Sequence, residues 1–102
     1  NISPAKIENL LSNSAAIDQC MVYGDKKNYL VALIVTEKET NYEKIKLVLE
    51  NINKNLTLIE KIKKFVLIHE EFTIANGMLT PTLKLKRFKI IQKYKNSFEK
   101  LY

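Results

Sequence analysis

The sequence predicts an α+β fold in which helices pack on a small three-stranded, mostly antiparallel sheet. Apolar residues recur at helical spacing near both ends of the chain and again in its middle, and short β-compatible apolar runs lie between them, separated by turn signals. The chain has 102 residues, of which 46% are hydrophobic and 27% charged. This length and composition predict one globular domain over residues 1–102, with a single core.

The first helix is predicted to begin at Pro4. Ser3 can cap the free N–H groups of the first turn, and Pro4 lacks the N–H that would need a partner there. Glu8 is expected on the solvent side of this helix. Ile7, Leu10 and Leu11 form its apolar stripe.

A β-hairpin is predicted next. Residues 17–23 are moderately apolar, Gly24-Asp25 and the polar residues after it indicate a turn, and residues 29–36 are almost all apolar. A strand that lacks polar alternation is expected to be buried on both faces.

A second helix and a third strand are predicted after the hairpin. Thr40 is a candidate cap for the helix, and residues 65–68 form the strand candidate. The helical stripe consists of Ile45, Val48, Leu49 and Ile52.

The strongest turn signal is the asparagine-glycine pair at 76–77, after which the chain is predicted to return as an extended arm. In an extended conformation Leu83 and Leu85 would anchor the arm, while Lys84 and Lys86 would point outward. One final helix is predicted beyond the arm. Its docking stripe is Phe88, Ile91, Tyr94, Phe98 and Leu101.

Composition excludes several classes of function. The longest apolar run, residues 30–35, is far shorter than the roughly 20 residues of a membrane-spanning helix. Cys20 is the only cysteine, so neither an intrachain disulfide nor a zinc cluster is possible, and a buried thiol in a cytoplasmic protein is expected. The only histidine, His69, has no evident catalytic or metal-binding partner. Two glycines cannot build a glycine-rich phosphate loop, so any nucleotide site must be shared with another structure.

The charge distribution is one-sided. The net charge is +6, and the last 19 residues hold seven of the 17 basic side chains but only one of the 11 acidic ones. A basic end of this kind can be a solvated helix face, or it can meet the phosphates of a nucleic acid, a membrane surface or a nucleotide. A lysine presented from an arm suits a phosphate or a developing oxyanion.

Several segments together resemble the C-terminal domain of the AMP-forming long-chain acyl-CoA synthetases, and the resemblance spans the whole chain. The N-terminal segments are shared widely among adenylate-forming enzymes, whereas the last series is characteristic of the long-chain branch. The segments are Asn1-Ile2-Ser3-Pro4, Ile7-Glu8, Val22-Tyr23-Gly24-Asp25, Ala32-Leu33-Ile34-Val35, Phe72-Thr73-Ile74 and Asn76-Gly77-Met78-Leu79-Thr80-Pro81-Thr82-Leu83-Lys84-Leu85-Lys86-Arg87.

The resemblance implies a mobile lid that is joined, by a hinge upstream of Asn1, to an N-terminal domain that binds ATP, Mg²⁺ and a fatty acid. Lys84 is implied as the catalytic lysine, which approaches the carboxylate and the α-phosphate while the acyl-adenylate forms. The lid then swings, and its opposite face completes a tunnel for CoA. The expected cofactors are ATP, CoA and Mg²⁺, the expected partner is the enzyme's own N-terminal domain, and no nucleic acid is expected. The lid alone is expected to be inactive.

The resemblance also implies residues that bind cofactors. Asn1 and Ile2 are expected near the CoA tunnel, Lys86 and Arg87 are expected to steer the phosphates of ATP or CoA, and no residue is expected to ligate a metal. Peripheral membrane association of the full enzyme stays open.

Two positions depart from the family pattern. Leu83 stands where most adenylate-forming enzymes have glycine, although the long-chain branch tolerates this. Phe88 stands where proline or a polar residue is expected.

An alternative interpretation is a free-standing basic module that binds nucleic acid or anionic lipid through its C-terminal helix. Such a module would lose affinity steeply with salt when Lys89, Lys93 or Lys95 is replaced, and it would be indifferent to Lys84.

Overall fold

The structure is a computed structural model that describes residues 2–24 and 26–102. Its helices and strands are α1 (Pro4–Ser12), β1 (Gln19–Tyr23), β2 (Leu30–Val35), α2 (Tyr42–Asn53), β3 (Ile62–Ile68), α3 (Arg87–Lys93) and α4 (Lys95–Glu99), with a 3₁₀ turn at Leu58–Glu60 between α2 and β3. The predicted α+β class, with a three-stranded sheet covered by helices, is confirmed.

The sheet has β2 at its centre, in the order β1-β2-β3. β1 and β2 pair antiparallel, whereas β2 and β3 pair parallel, so the sheet is mixed rather than mostly antiparallel. A parallel pair needs a long crossover, and α2 occupies that crossover. The third strand begins at Ile62, earlier than predicted, because its pairing with β2 already starts there, at Leu30. The Asn53 side chain also donates to Ile62 O and accepts from Ile62 N, both at 2.9 Å.

The central strand is buried along its whole length, as predicted. Its residues alternate between two apolar layers because successive side chains of a strand point to opposite faces. Leu30, Ala32 and Ile34 belong to the layer under α1 and α2. The other three residues of β2, Val31, Leu33 and Val35, belong to a layer closed by the chain after β3.

The two N-terminal helices begin at side-chain caps. The Ser3 hydroxyl accepts from Lys6 N at 3.4 Å, which confirms the predicted start of α1. α2 is capped by Asn41 rather than by the predicted Thr40, since the Asn41 side chain accepts from Lys44 N at 2.8 Å. Asparagine caps at least as well as threonine, so the helix starts one residue later than expected.

The predicted final helix is divided into α3 and α4 at Tyr94, whose φ of −106° and ψ of 22° are not helical. Ile90 and Phe98 are buried, but Phe88 is 78% exposed, so its assignment to the docking stripe is wrong. Phe88 precedes Ile90 by two residues and therefore lies about 200° around the helix from it. The apolar stripe begins at Ile90 instead.

Candidate functional site

Lys84 lies on a tight hairpin rather than on an extended arm. Leu79 and Leu85 form an antiparallel bridge, and Lys86 N donates to Met78 O at 2.8 Å. Above this base the chain reverses, with Thr80 N donating to Lys84 O at 2.8 Å. The prediction of an extended arm is therefore wrong.

The reversal explains why glycine is expected at position 83, where this chain has leucine. Leu83 has a φ of 65°, in the left-handed region, and its N–H donates to Thr80 O at 2.8 Å. Three-residue hairpin loops commonly need a left-handed residue in this position, and glycine adopts it without strain. The side chain of Leu83 is 67% exposed, so its predicted role as an anchor is wrong, and only Leu85 packs on the core.

Lys84 itself is exposed at the edge of a groove of about 680 Å³ between α1 and the hairpin. Across residues 2–24 and 26–102, no carboxylate lies within 4.0 Å of its ammonium. A free ammonium on a backbone held by hydrogen bonds is suited to meet an anion that another surface brings to it.

Glu8 and Arg87 form an ion pair at the inner wall of this groove, although 79 residues separate them. Arg87 Nη1 lies 2.8 Å from Glu8 Oε2 and Nη2 lies 2.5 Å from Oε1, and Val22 N also donates to Oε2 at 2.7 Å. The side chain of Glu8 is only 9% exposed, so its predicted place on the solvent side is wrong. The pair joins α1, β1 and the start of α3.

The same pair sets the electrostatics around it. The hydrogen bonds that Arg87 donates to Glu8 raise the pKa of Arg87, while partial burial works in the opposite direction. The thiol of Cys20 is buried 3.6 Å from the backbone oxygen of Glu8. Burial, together with the Glu8 charge, raises the pKa of this thiol to about 12. The thiol is therefore protonated and unreactive near neutral pH, in agreement with the predicted buried role.

A second groove, of about 890 Å³, contains another of the predicted cofactor-binding residues. Ile2 lines it, and so does Arg87, which therefore borders both grooves. Lys26, Lys27 and Lys63 add positive charge to its walls. The exposed side chains of Leu58 and Ile59 add apolar surface.

The structure thus separates the predicted site residues into two groups. Lys84 borders the first groove and Ile2 the second, and Arg87 lies between them. Lys86 is exposed and lines neither groove. Asn1 lies outside the described residues. Glu8 was not predicted as a site residue, although Ile7-Glu8 is one of the segments that carry the resemblance.

Other candidate chemistry is sparse in the described part of the chain. His69 Nδ1 lies 2.9 Å from Thr36 O, a contact just beyond the ends of β2 and β3. Across residues 2–24 and 26–102, no three His, Cys, Asp or Glu side chains are grouped to hold a metal ion. No helix in those ranges has the length and apolar character needed to cross a membrane.

The chain is similar over nearly its whole length to one family of known proteins. The family model described as "AMP-binding enzyme C-terminal domain" matches residues 1–102. Long-chain-fatty-acid–CoA ligase 5 of Rattus norvegicus is 30% identical over 99% of this chain and 18% of its own length. A chloroplastic long-chain-fatty-acid–[acyl-carrier-protein] ligase of Arabidopsis thaliana is 31% identical over all of this chain and 15% of its own length.

Solved structures show the same relationship. The adenylation domain of a carboxylate reductase from Mycobacterium chelonae superposes with a TM-score of 0.89 and 26% identity over 99% of this chain and 18% of that one. A carboxylic acid reductase didomain from Segniliparus rugosus, in complex with AMP, gives a TM-score of 0.85 and 28% identity over 99% of this chain and 16% of that one.

The chain spans less than a fifth of the length of these relatives, and in each case the match covers nearly all of it. The resemblance seen in the sequence is confirmed at the level of the family. From the family match over its full length, the relatives at 30% identity or more and the shared fold, the chain belongs to the C-terminal domains of AMP-binding, adenylate-forming enzymes.

Proposed function

We propose that this chain is the mobile lid of an AMP-forming long-chain fatty acid–CoA ligase, and that Lys84 brings its ammonium to the reacting groups during adenylation. The observation that best supports this proposal is the presentation of Lys84. Its side chain is exposed at the edge of a groove, and its backbone is fixed in a hydrogen-bonded hairpin. A charge held in this way can act on a substrate bound by another domain.

In the first reaction, an oxygen of the fatty acid carboxylate attacks the α-phosphorus of ATP, and the bond from that phosphorus to the pyrophosphate oxygen breaks. Acyl-adenylate and pyrophosphate are formed. Negative charge gathers on the phosphate oxygens during this step, so an ammonium that arrives on closure stabilises the transition state more than the separated reactants. Lys84 is the side chain to which we assign this role.

In the second reaction, the sulfur of CoA attacks the acyl carbon, and the bond to AMP breaks. We assign the groove that contains Ile2 to this step. Its three lysines, Lys26, Lys27 and Lys63, suit the phosphates of CoA, and its apolar walls suit a pantetheine chain. The separation of this groove from Lys84 supports a lid that turns between the two steps.

The proposal also assigns roles to groups outside this chain. The N-terminal domain would bind the fatty acid and ATP. The groups of this chain fit Mg²⁺ poorly, since its candidate site is cationic and the described residues contain no metal-ligating cluster. We therefore assign the metal to the N-terminal domain and the ATP phosphates. CoA is the proposed acceptor, although one relative is named as an acyl-carrier-protein ligase.

The test is to replace Lys84 with alanine in the full-length protein and to assay each half-reaction separately. Pyrophosphate release from ATP and oleate, with hydroxylamine present to trap the acyl group, measures adenylation. Thioester formation from supplied oleoyl-adenylate and CoA measures transfer. We expect Lys84→Ala to slow adenylation by about a hundredfold or more, the scale of losing one preorganised charge donor, and to leave transfer nearly unchanged.

Lys86→Ala is the matched control, because Lys86 is also exposed, lies two residues away and borders neither groove. It should retain the maximal rate of adenylation and raise only the apparent KM for ATP or CoA, as expected of a residue that steers phosphates. An equal loss of both half-reactions in Lys84→Ala would show that the lysine supports folding or docking. No loss in either would refute the proposal, and transfer to a carrier protein but not to CoA would correct the acceptor.

A further inference from the structure

The loop that carries Lys84 is held together by the hydrogen bonds of one residue, Thr80. Thr80 contacts both backbone polar groups of Lys84: its hydroxyl accepts from Lys84 N at 3.1 Å, and its N–H donates to Lys84 O at 2.8 Å. Thr80 O also accepts from Leu83 N at 2.8 Å, and the hydroxyls of Thr80 and Thr82 are 3.1 Å apart. Every polar contact found inside the loop therefore includes Thr80.

From this geometry we propose that Thr80 is a positioning residue for Lys84, acting through its hydroxyl. The inference rests on the proposed role of Lys84 in adenylation. Lysine has a long and flexible side chain, so the direction of its ammonium depends first on where its backbone is held. A backbone fixed at both N–H and C=O restricts the volume that the ammonium can reach and so prepares it for the closed state.

The hydroxyl is needed because the loop is otherwise unfavourable. Leu83 is held at a φ of 65°, a region that a residue with a Cβ adopts reluctantly. Pro81, which follows Thr80, fixes its own φ and disfavours the α-helical region for Thr80, but it does not restrict Leu83. If the hydroxyl of Thr80 is removed, the backbone hydrogen bonds at Lys84 O and Leu83 N remain, but the Lys84 N–H loses its partner. Leu83 and Lys84 can then relax toward more common conformations.

The proposal separates the loss of position from the loss of charge. Thr80→Val replaces the hydroxyl by a methyl group of similar size and leaves Lys84 in place. We expect the maximal rate of adenylation to fall about tenfold, with little change in the KM for ATP, because substrate binding is assigned to the N-terminal domain. The transfer half-reaction should not change.

The experiment uses the full-length protein and measures both half-reactions in five variants: Thr80→Val, Thr80→Ser, Thr82→Val, Lys84→Ala and the double variant of Thr80→Val with Lys84→Ala. Thr80→Ser keeps the accepting oxygen and should stay within about twofold of the parent. Thr82→Val is the matched control, since in the described ranges the polar contact of the Thr82 hydroxyl is with that of Thr80 and not with Lys84, and it should also stay within about twofold. Thr80→Ala serves as a second hydroxyl-free variant if Thr80→Val does not fold.

The double variant gives the decisive result. If Thr80 acts through Lys84, then Thr80→Val should cause no further loss once Lys84 is alanine. A further tenfold loss in the double variant would show a general structural role and overturn the inference. Full adenylation activity in the folded variant that lacks the Thr80 hydroxyl, with a large loss in Lys84→Ala, would also overturn it while leaving the proposed function intact. Full activity in Lys84→Ala would refute the proposed function, and the inference with it.

Discussion

The two faces of the sheet are covered in different ways. One face is covered by α1 and α2, whose backbone groups bond within the helices themselves. The other is covered by the residues between β3 and α3 and by the two short helices that follow. β2 supplies buried side chains to both layers, so a single central strand supports two kinds of cover.

On the irregular face, side chains form hydrogen bonds with backbone groups that would be paired within a helix on the other face. The Gln19 amide pairs with both backbone groups of Phe72, at 2.7 and 2.9 Å. Asn76 accepts from the N–H groups of Thr73 and Met78 and donates to Glu71 O. A segment held in this way can place a loop and a lysine outside the core, whereas a regular helix directs its backbone groups inward. This explains why Lys84 is carried by the irregular segment, at the groove between that segment and α1.

The largest expected effects come from the cores of the two layers. Phe72 is 1% exposed on the irregular face, and Ile45 is fully buried on the helical face. We expect Phe72→Ala to lower the free energy of unfolding by about 3–5 kcal/mol and Ile45→Ala by about 2–5 kcal/mol, because each leaves a cavity. Urea denaturation followed by circular dichroism measures both.

Exposed apolar residues supply the controls for that comparison. Leu47→Ala on α2 and Ile74→Ala on the irregular segment remove side chains that are 66% and 50% exposed, so each should change stability by only about 0.5 kcal/mol. If Phe72→Ala also left the main unfolding transition unchanged, the irregular segment would be a separate unit that opens before the sheet.

The second effect concerns the ion pair that connects the two regions. Arg87→Ala leaves the Glu8 carboxylate buried without its cation, and losses of about 3–5 kcal/mol are typical of broken buried pairs. Because the Arg87 side chain is 39% exposed, water compensates in part and we expect about 2–3 kcal/mol. Lys86→Ala should have almost no effect on the same unfolding curve. Equal stability of the two variants would show that Glu8 is adequately held by Val22 N alone.

The third effect contrasts two glycines with positive φ. A Cβ at Gly24 would lie 2.7 Å from Tyr29 O, whereas at Gly77 it would meet nothing within 4 Å. Gly77→Ala should therefore cost only the left-handed backbone, about 1 kcal/mol, and Gly24→Ala about 2 kcal/mol because a clash is added. Thermal unfolding of the two variants tests this, and an equal loss would mean that the hairpin turn shifts to admit the methyl group.

The last effect, absent at neutral pH, is a decline of stability at alkaline pH. Burial raises the pKa of Cys20 from 9.0 to about 12 and the pKa values of Tyr94 and Tyr102 from 10.0 to about 12. The folded state thus keeps protons that the unfolded state releases, so stability is complete below pH 9 and falls as the pH rises toward 12. The midpoint of thermal unfolding at pH 8, 10 and 11 measures the decline.

Single variants show which face of the sheet contains the groups that cause the loss of stability at alkaline pH. Cys20→Ala should remove the part that begins near pH 9, on the helical face, while Tyr94→Phe should remove a part that begins near pH 10, on the irregular face. The same slope in the parent and both variants would locate the titrating groups elsewhere.

The sequence was sufficient for features that depend on neighbouring residues. The cap at Ser3, the buried central strand, the order of helical and extended segments and the exposure of Lys84 all follow from local spacing or from a motif. Each reflects a periodicity, a capping side chain or a residue series that can be recognised within about a dozen positions. The family was recognised from the same local information.

Only the tertiary structure decided the rest, because the groups concerned are distant in the chain. Glu8 and Arg87 lie 79 residues apart, and nothing near either of them indicated that both would be brought to one wall of the groove. The pairing of β2 with β3 in parallel depends on where the crossover places the third strand. The left-handed Leu83 depends on hydrogen bonds to Thr80 that exist only once the hairpin base has formed. Local propensity determines which elements form, whereas the burial of charges and the satisfaction of backbone groups determine how those elements meet.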